Sequence, residues 1–235
     1  MKFKNFPSPQ VDVKGFRLKR INEPQYRHFW LLLFWPVYYL RYFLVEALNP
    51  AGSACHVMYC ALDDVIPLCE YFLIPYGLWM VLMLAMTVFT MLYDVDTFKK
   101  YMKFLLITIT VSTLTFLVFP TCHNLRPETF ERENLFTWIL SIVYAADTNT
   151  NVCPSEHVIG SMAMLAAAYH CPWLSDQPWK KITVTLSMVL VSLSTVFLKQ
   201  HSLLDVLYAL PLCLVAWVIC FKPCSLKTPR TLEAL

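Results

Sequence analysis

Apolar residues fall in long uninterrupted runs at about 29 to 48, 65 to 93, 104 to 120, 157 to 174, 182 to 198 and 202 to 221. Each is near the roughly 20 residues that carry an α-helix across a bilayer. A seventh run, Leu135 to Ala146, is only about a dozen residues, too short to span, and is expected as an interfacial or re-entrant segment. The pattern predicts an all-α fold, a six-transmembrane helical bundle with that one additional short segment. A tail over 1 to 28 precedes the membrane domain at 29 to 221, and a second tail covers 222 to 235. The first span carries Arg41, which costs roughly 2.5 to 3.5 kcal/mol near a helix centre unless it snorkels or pairs, with Glu46 as a candidate partner.

Composition points the same way. With 57% hydrophobic residues, 15% charged residues and a mean hydropathy of +0.51, the chain has too little polar surface for an ordinary soluble domain. The net charge of +3 is small and is scattered over loops, so no nucleic-acid partner is expected. Lys and Arg fall fifteen on one side of the six-span arrangement and three (Arg126, Arg132 and Lys199) on the other. The positive-inside rule then places both termini in the cytoplasm, with residues 1 to 27 leading into an uncleaved signal anchor.

Alternation of the spans brings three polar constellations to the extracytoplasmic or lumenal face. They are Arg126-Pro127, Cys153-Pro154-Ser155-Glu156-His157, and Ser194 followed by His201 and Asp205. Ionisable groups at a bilayer edge are expensive, so a functional site is the default reading. His201 and Asp205 are four apart and share one helix face; the carboxylate can hold one ring nitrogen and leave the other as nucleophile or base. His157 opens a helix whose free N–H groups can bind an anion, and Arg126 offers a planar fork suited to phosphate. Singly these are weak: His-x3-Asp is as often a structural pair, and Ser155 is an ordinary N-cap. Their convergence on one face is what favours catalysis.

The nine cysteines are odd in number and irregular in spacing, and no disulfide framework is inferred from them. Cys122, His123, Cys153 and His157 lack the compact paired spacing of a zinc site, so no metal or other cofactor is expected. Glu70, beside Asp63 and Asp64, either lines a cavity or pairs with a cation between helices. Trp138 and Tyr144 read as interfacial anchors, on a segment able to cover the site. His56, His123 and His170 have no readable partner.

On these motifs the chain resembles the type 2 phosphatidate phosphatase and haloperoxidase superfamily, whose signatures are K-x6-R-P, P-S-G-H and S-R-x5-H-x3-D. Arg126-Pro127 matches the end of the first, Pro154, Ser155 and His157 the second, and Ser194, His201 and Asp205 the third, at the family spacing. The resemblance covers about 118 to 210 and implies an integral membrane phosphatase acting on lipid phosphates without a metal. It makes His201 the nucleophile, Asp205 its orienter and His157 the acid, with Arg126, Ser155 and Ser194 on the phosphate oxygens. Phe119, Glu156 and Thr195 depart from the family's Lys, Gly and Arg, so two clamping cations are absent. Lys199 either replaces one or is a snorkelling lysine. The stretches from Phe119 to Pro127 and from Asn151 to His157 look closer to the sphingomyelin and inositol phosphorylceramide synthases, which pass a phospho-headgroup between lipids. The expectation is a lipid phosphatase, with headgroup transferase as the alternative. A non-catalytic lipid-binding or transport protein is the competing class.

Overall fold

The computed structural model describes residues 6–222. Most of the C-terminal tail, and Lys2, Lys4, Lys227 and Arg230 of the orientation count, lie outside the described residues. The described chain is overwhelmingly helical: α1 Phe34–Leu48, α2 Leu62–Val65, α3 Leu73–Tyr93, α4 Val95–Val118, α5 Leu135–Ala146, α6 Glu156–His170, α7 Pro172–Ser175, α8 Pro178–Phe197 and α9 Leu203–Phe221. Two two-residue strands, β1 His56–Val57 and β2 Thr121–Cys122, pair in parallel.

Among the described residues, five helical stretches are long and apolar enough to cross a membrane: Arg27–Leu48, Glu70–Tyr93, Val95–Val118, Pro178–Phe197 and Leu203–Phe221. The protein is a membrane protein on that count. The expected sixth span falls short. Its helix, α6, has 15 residues and rises about 22 Å, against a hydrocarbon core of about 30 Å. Pro172 ends it, because the residue before a proline is driven out of the helical region, and Cys171 is extended with ψ 118°. α5 has the bounds expected of the short segment.

Although short, α6 occupies the middle of the bundle and packs on α4, α8 and α9. Its Gly160, Ser161, Ala163, Ala167 and Ala168 are buried, and small residues let helix backbones approach. At Gly160 the approach is limiting. A Cβ there would sit 2.5 Å from Met83 Sδ and 2.8 Å from Trp79 Cζ2 and Nε1, so a side chain would drive into α3. Outward faces are apolar and open: Val37, Leu40 and Phe43 on α1, Val81 on α3 and Leu214 on α9 are all more than half exposed or close to it.

Three local expectations change. The polar stretch 94 to 103, which the apolar runs at 65 to 93 and 104 to 120 leave between them as a loop, is instead the N-cap and start of α4, because Asp94 accepts from the Thr97 N–H at 3.1 Å and caps the helix. Arg41 pairs with Glu156 at 2.7 Å rather than with Glu46; Glu46 instead accepts from Thr148 and Asn151. Cys55 and Cys122 form a disulfide. Their sequence separation of 67 hides this partnership, which the β1–β2 register His56↔Thr121 and Val57↔Cys122 creates. His56 stacks on Phe119 with centroids 3.7 Å apart, and His170 bridges Asp96 and Lys100.

Candidate functional site

The start of α9 is fixed by two aspartates. Asp205 accepts from the Ser202 N–H at 2.9 Å to form a capping box. Asp63, from α2, accepts from Ser202 Oγ at 2.6 Å and from the Leu203 N–H at 2.8 Å. Burial opposes ionisation of Asp63, but these bonds and those from Cys60 outweigh it and hold the carboxyl below its usual range. The same Oδ2 of Asp205 lies 3.2 Å from Nδ1 of His201. With Nδ1 engaged, Nε2 is the nitrogen left for chemistry.

His157 stands in the first turn of α6 between two rings of α3, with centroids 4.6 Å from Tyr76 and 4.4 Å from Trp79. Its ring centre is 5.7 Å from that of His201, and its Nδ1 has no hydrogen-bond partner. α6 and α9 are tied at this point by the Ser155 N–H, which donates to the Asp205 carbonyl at 3.1 Å. Both histidines line a cavity of about 360 Å³ whose other walls come chiefly from α1, α3 and the segment 147–152, with Phe116, Ala146, Glu156 and Gln200 completing it.

The other expected site residues are arranged differently. Asp205 is wholly buried behind His201. Ser194 Oγ donates to the Val191 carbonyl at 2.6 Å, within its own helix. Ser155 is fully buried, and its Oγ has no partner. Neither serine is on the cavity wall. Arg126 donates to the carbonyls of Tyr144 (3.0 Å) and Thr148 (2.9 Å) and to the side-chain oxygen of Gln200, with Tyr144 stacked 4.6 Å from its guanidinium carbon. Its two terminal nitrogens are therefore occupied by protein while its Nε has no partner, and Arg126 is not on the cavity wall. Lys199 is turned away. It adopts φ 52° and donates to the carbonyls of Asp63 and Ile66; burial lowers its ammonium from the usual range, with Asp63 and Asp64 opposing.

Gln200 was not singled out by the sequence, and His123 had no readable partner there. Gln200 is 2% exposed and lines the cavity; Arg126 holds its oxygen, and its Nε2 has no partner. His123 is fully buried; its Nε2 is 2.9 Å from the Gln200 carbonyl and its Nδ1 accepts from the Leu125 N–H. This geometry requires the neutral Nε2–H tautomer. Burial, with His201 and Arg126 nearby, holds its pKa down to about 3. Tyr144 faces inward, with its hydroxyl on the Leu198 carbonyl at 2.7 Å, whereas Trp138 is exposed. Glu70 accepts from Asn134 and pairs with Arg132 at 3.4 Å, apart from the histidine cavity. Burial and Asp205 push the Cys153 thiol up to about 12, so it remains a thiol.

Among the described residues no group of three or more His, Cys, Asp and Glu is arranged to hold a metal ion. No protein-family model, no curated protein and no solved structure matches the chain.

Proposed function

We propose that the protein is an integral membrane enzyme of phosphoryl transfer on lipid phosphates, working through a phosphohistidine at His201. The observation that carries this reading is the pair of histidines on one cavity, with Asp205 on the Nδ1 of His201. In the first step Nε2 of His201 attacks phosphorus, an N–P bond forms and the P–O bond to the leaving group breaks. His157 gives its proton to the departing oxygen. In the second step His157 takes a proton from water or an alcohol, whose oxygen attacks phosphorus and breaks the N–P bond. Asp205 stabilises the imidazolium and fixes its tautomer. Resemblance of the motifs to the type 2 phosphatidate phosphatase superfamily supports the same assignment. It makes hydrolysis of a phosphatidate-type monoester the first form of the reaction.

Headgroup transfer, as in the sphingomyelin and inositol phosphorylceramide synthases, is the second form, and one observation favours it. Phe119 is stacked on His56, Thr195 bonds within α8, and Lys199 faces away. The cations that suit a phosphomonoester dianion are thus missing, and a singly charged phosphodiester needs fewer. The lysine and arginine distribution favours an extracytoplasmic or lumenal site, as does the Cys55–Cys122 disulfide, since disulfides persist in oxidising compartments.

The test is turnover by the purified protein on a panel of lipid phosphates, with EDTA and with vanadate. We expect vanadate-sensitive, EDTA-resistant activity that falls by roughly 10³-fold or more in His201→Ala. The product then separates hydrolysis from transfer. Full activity in His201→Ala refutes the mechanism. A folded wild-type protein inert on the whole panel points instead to a binding or transport role.

A further inference from the structure

The wall of the histidine cavity has the wrong charge for a bare phosphate. Glu46, Asp147 and Glu156 line it, and among the described residues Arg41 is the one arginine or lysine on that wall. Arg41 is already paired with Glu156. Asp147 is held by two phenols, accepting from Tyr42 Oη at 3.0 Å and Tyr76 Oη at 3.2 Å. Glu46 accepts from the Thr148 hydroxyl and, at 2.9 Å, from the Asn151 amide. Neither carboxylate makes an ion pair among the described residues. Arg126 is close enough to feel Asp147 electrostatically, but its two terminal nitrogens are spent on Tyr144, Thr148 and Gln200, and only its Nε is without a partner.

A phosphomonoester dianion entering this space meets excess negative charge in a low-dielectric setting, where repulsion is strong. A ligand that brings its own cation does not. Aromatic rings of Tyr38, Tyr42, Tyr76 and Trp79 line the same cavity, and ring faces beside carboxylates recognise ammonium groups, quaternary ones above all. An independent observation offers an anion a donor alongside. Gln200, 2% exposed, presents an unpartnered amide donor at the same wall as His157 and His201, suited to a phosphate oxygen.

Resting on the phosphoryl-transfer reading, we infer that the substrate is a zwitterionic lipid phosphodiester whose headgroup ends in an ammonium of the choline or ethanolamine kind. The ammonium sits against Asp147, Glu46 and the tyrosines, and the phosphate lies between Gln200 and the two histidines. The cavity volume of about 360 Å³ accommodates a headgroup and leaves the acyl chains to the bilayer.

The experiment measures binding to the full chain in maltoside detergent, by thermal shift, of dihexanoyl phosphatidylcholine against matched phosphatidic acid and phosphatidylglycerol. We expect the choline lipid to bind at least tenfold more tightly than either. Tetramethylammonium chloride should compete where sodium chloride at equal concentration does not. The double variant Glu46→Gln, Asp147→Asn should weaken the choline lipid tenfold or more and strengthen phosphatidic acid, narrowing or reversing the order. Tighter binding of phosphatidic acid by the wild-type protein, equal competition by sodium, or an unchanged order in a folded double variant overturns the inference. If the double variant does not fold, wild-type order and tetramethylammonium competition decide alone. His201→Ala separates the two proposals. It should still prefer the choline lipid while losing turnover, and retained turnover would refute the phosphohistidine and leave the headgroup result standing.

Discussion

Of the residues singled out by spacing, His157, His201 and Asp205 come together and Lys199 does not. His201 and Asp205 do not share a helix face as expected, because His201 lies just before the N-cap Ser202 of α9; the Asp205 carboxylate meets its ring as it reaches back to cap the helix start, so the pairing is still legible from local spacing. The direction of Lys199 is set by a left-handed φ of 52°, which no pattern of residue types reveals. Arg126, Gln200 and His123 form a set that spans 77 residues of sequence between His123 and Gln200, again invisible to local reading. His123 carries a pH prediction. Its folded pKa of about 3 lies below the ordinary value of 6.5, so the unfolded chain binds the proton more readily. Its contribution to stability is complete above about pH 6.5 and is lost as the pH falls towards about 3, by at most about 1.4 kcal/mol per unit. Melting temperature in detergent should therefore drop on acidification from pH 7 to 4.5, and His123→Gln should flatten that fall while lowering stability at neutral pH. An acid limb as steep in the variant as in the wild type would contradict this.

At the scale of elements, hydropathy locates the apolar helices but not the device that ends each one. The N-cap at Asp94 moves the start of α4 into a stretch of charged residues, and the Cys171-Pro172 break shortens α6. Both are signals present in the chain, outweighed there by the apolar count. The contact between α6 and α3 at Gly160 was not legible, because a single glycine inside an apolar run says nothing about what faces it. Gly160→Ala should push Trp79 and Met83 off α6. Met83 can swing aside, but the Trp79 indole is already packed on His157. We expect a loss of about 1 to 3 kcal/mol from overpacking and a fall in turnover, read from thermal unfolding and from kcat of the same preparation. Unchanged stability and turnover would show that Trp79 relaxes freely.

For the whole molecule, alternation of apolar runs anticipated that the polar constellations gather at one end; the start of α6 meets that of α9 through the Ser155 N–H on the Asp205 carbonyl, the end of α8 meets it through the His201 N–H on the Thr195 carbonyl, and Phe116 near the end of α4 lines the same cavity as both histidines. Pairing of Cys55 with Cys122 was out of reach, since it depends on β1 finding β2. Closing a loop of 67 residues removes chain entropy worth about 4 kcal/mol from the unfolded state. The bond also anchors the strand that runs into His123. Cys55→Ser, or reduction with dithiothreitol, should lower the melting temperature by several degrees and reduce turnover together. A protein whose stability and activity are indifferent to reductant would remove the disulfide from the account.

The ion pair between Arg41 and Glu156 joins residues 115 positions apart, and that distance is also a delay. At about 5 to 20 residues per second of synthesis, roughly 6 to 23 s pass between the addition of the arginine to the growing chain and that of its partner. Through that interval the first helix carries an unmatched charge, at a cost of roughly 2.5 to 3.5 kcal/mol if it enters the bilayer core. His201 and Asp205 come later still, just before and within the first turn of the last helix described. The histidine cavity therefore waits on residues made after all of its other walls, and a chain interrupted before them holds its acids and its arginine without the His201–Asp205 pair.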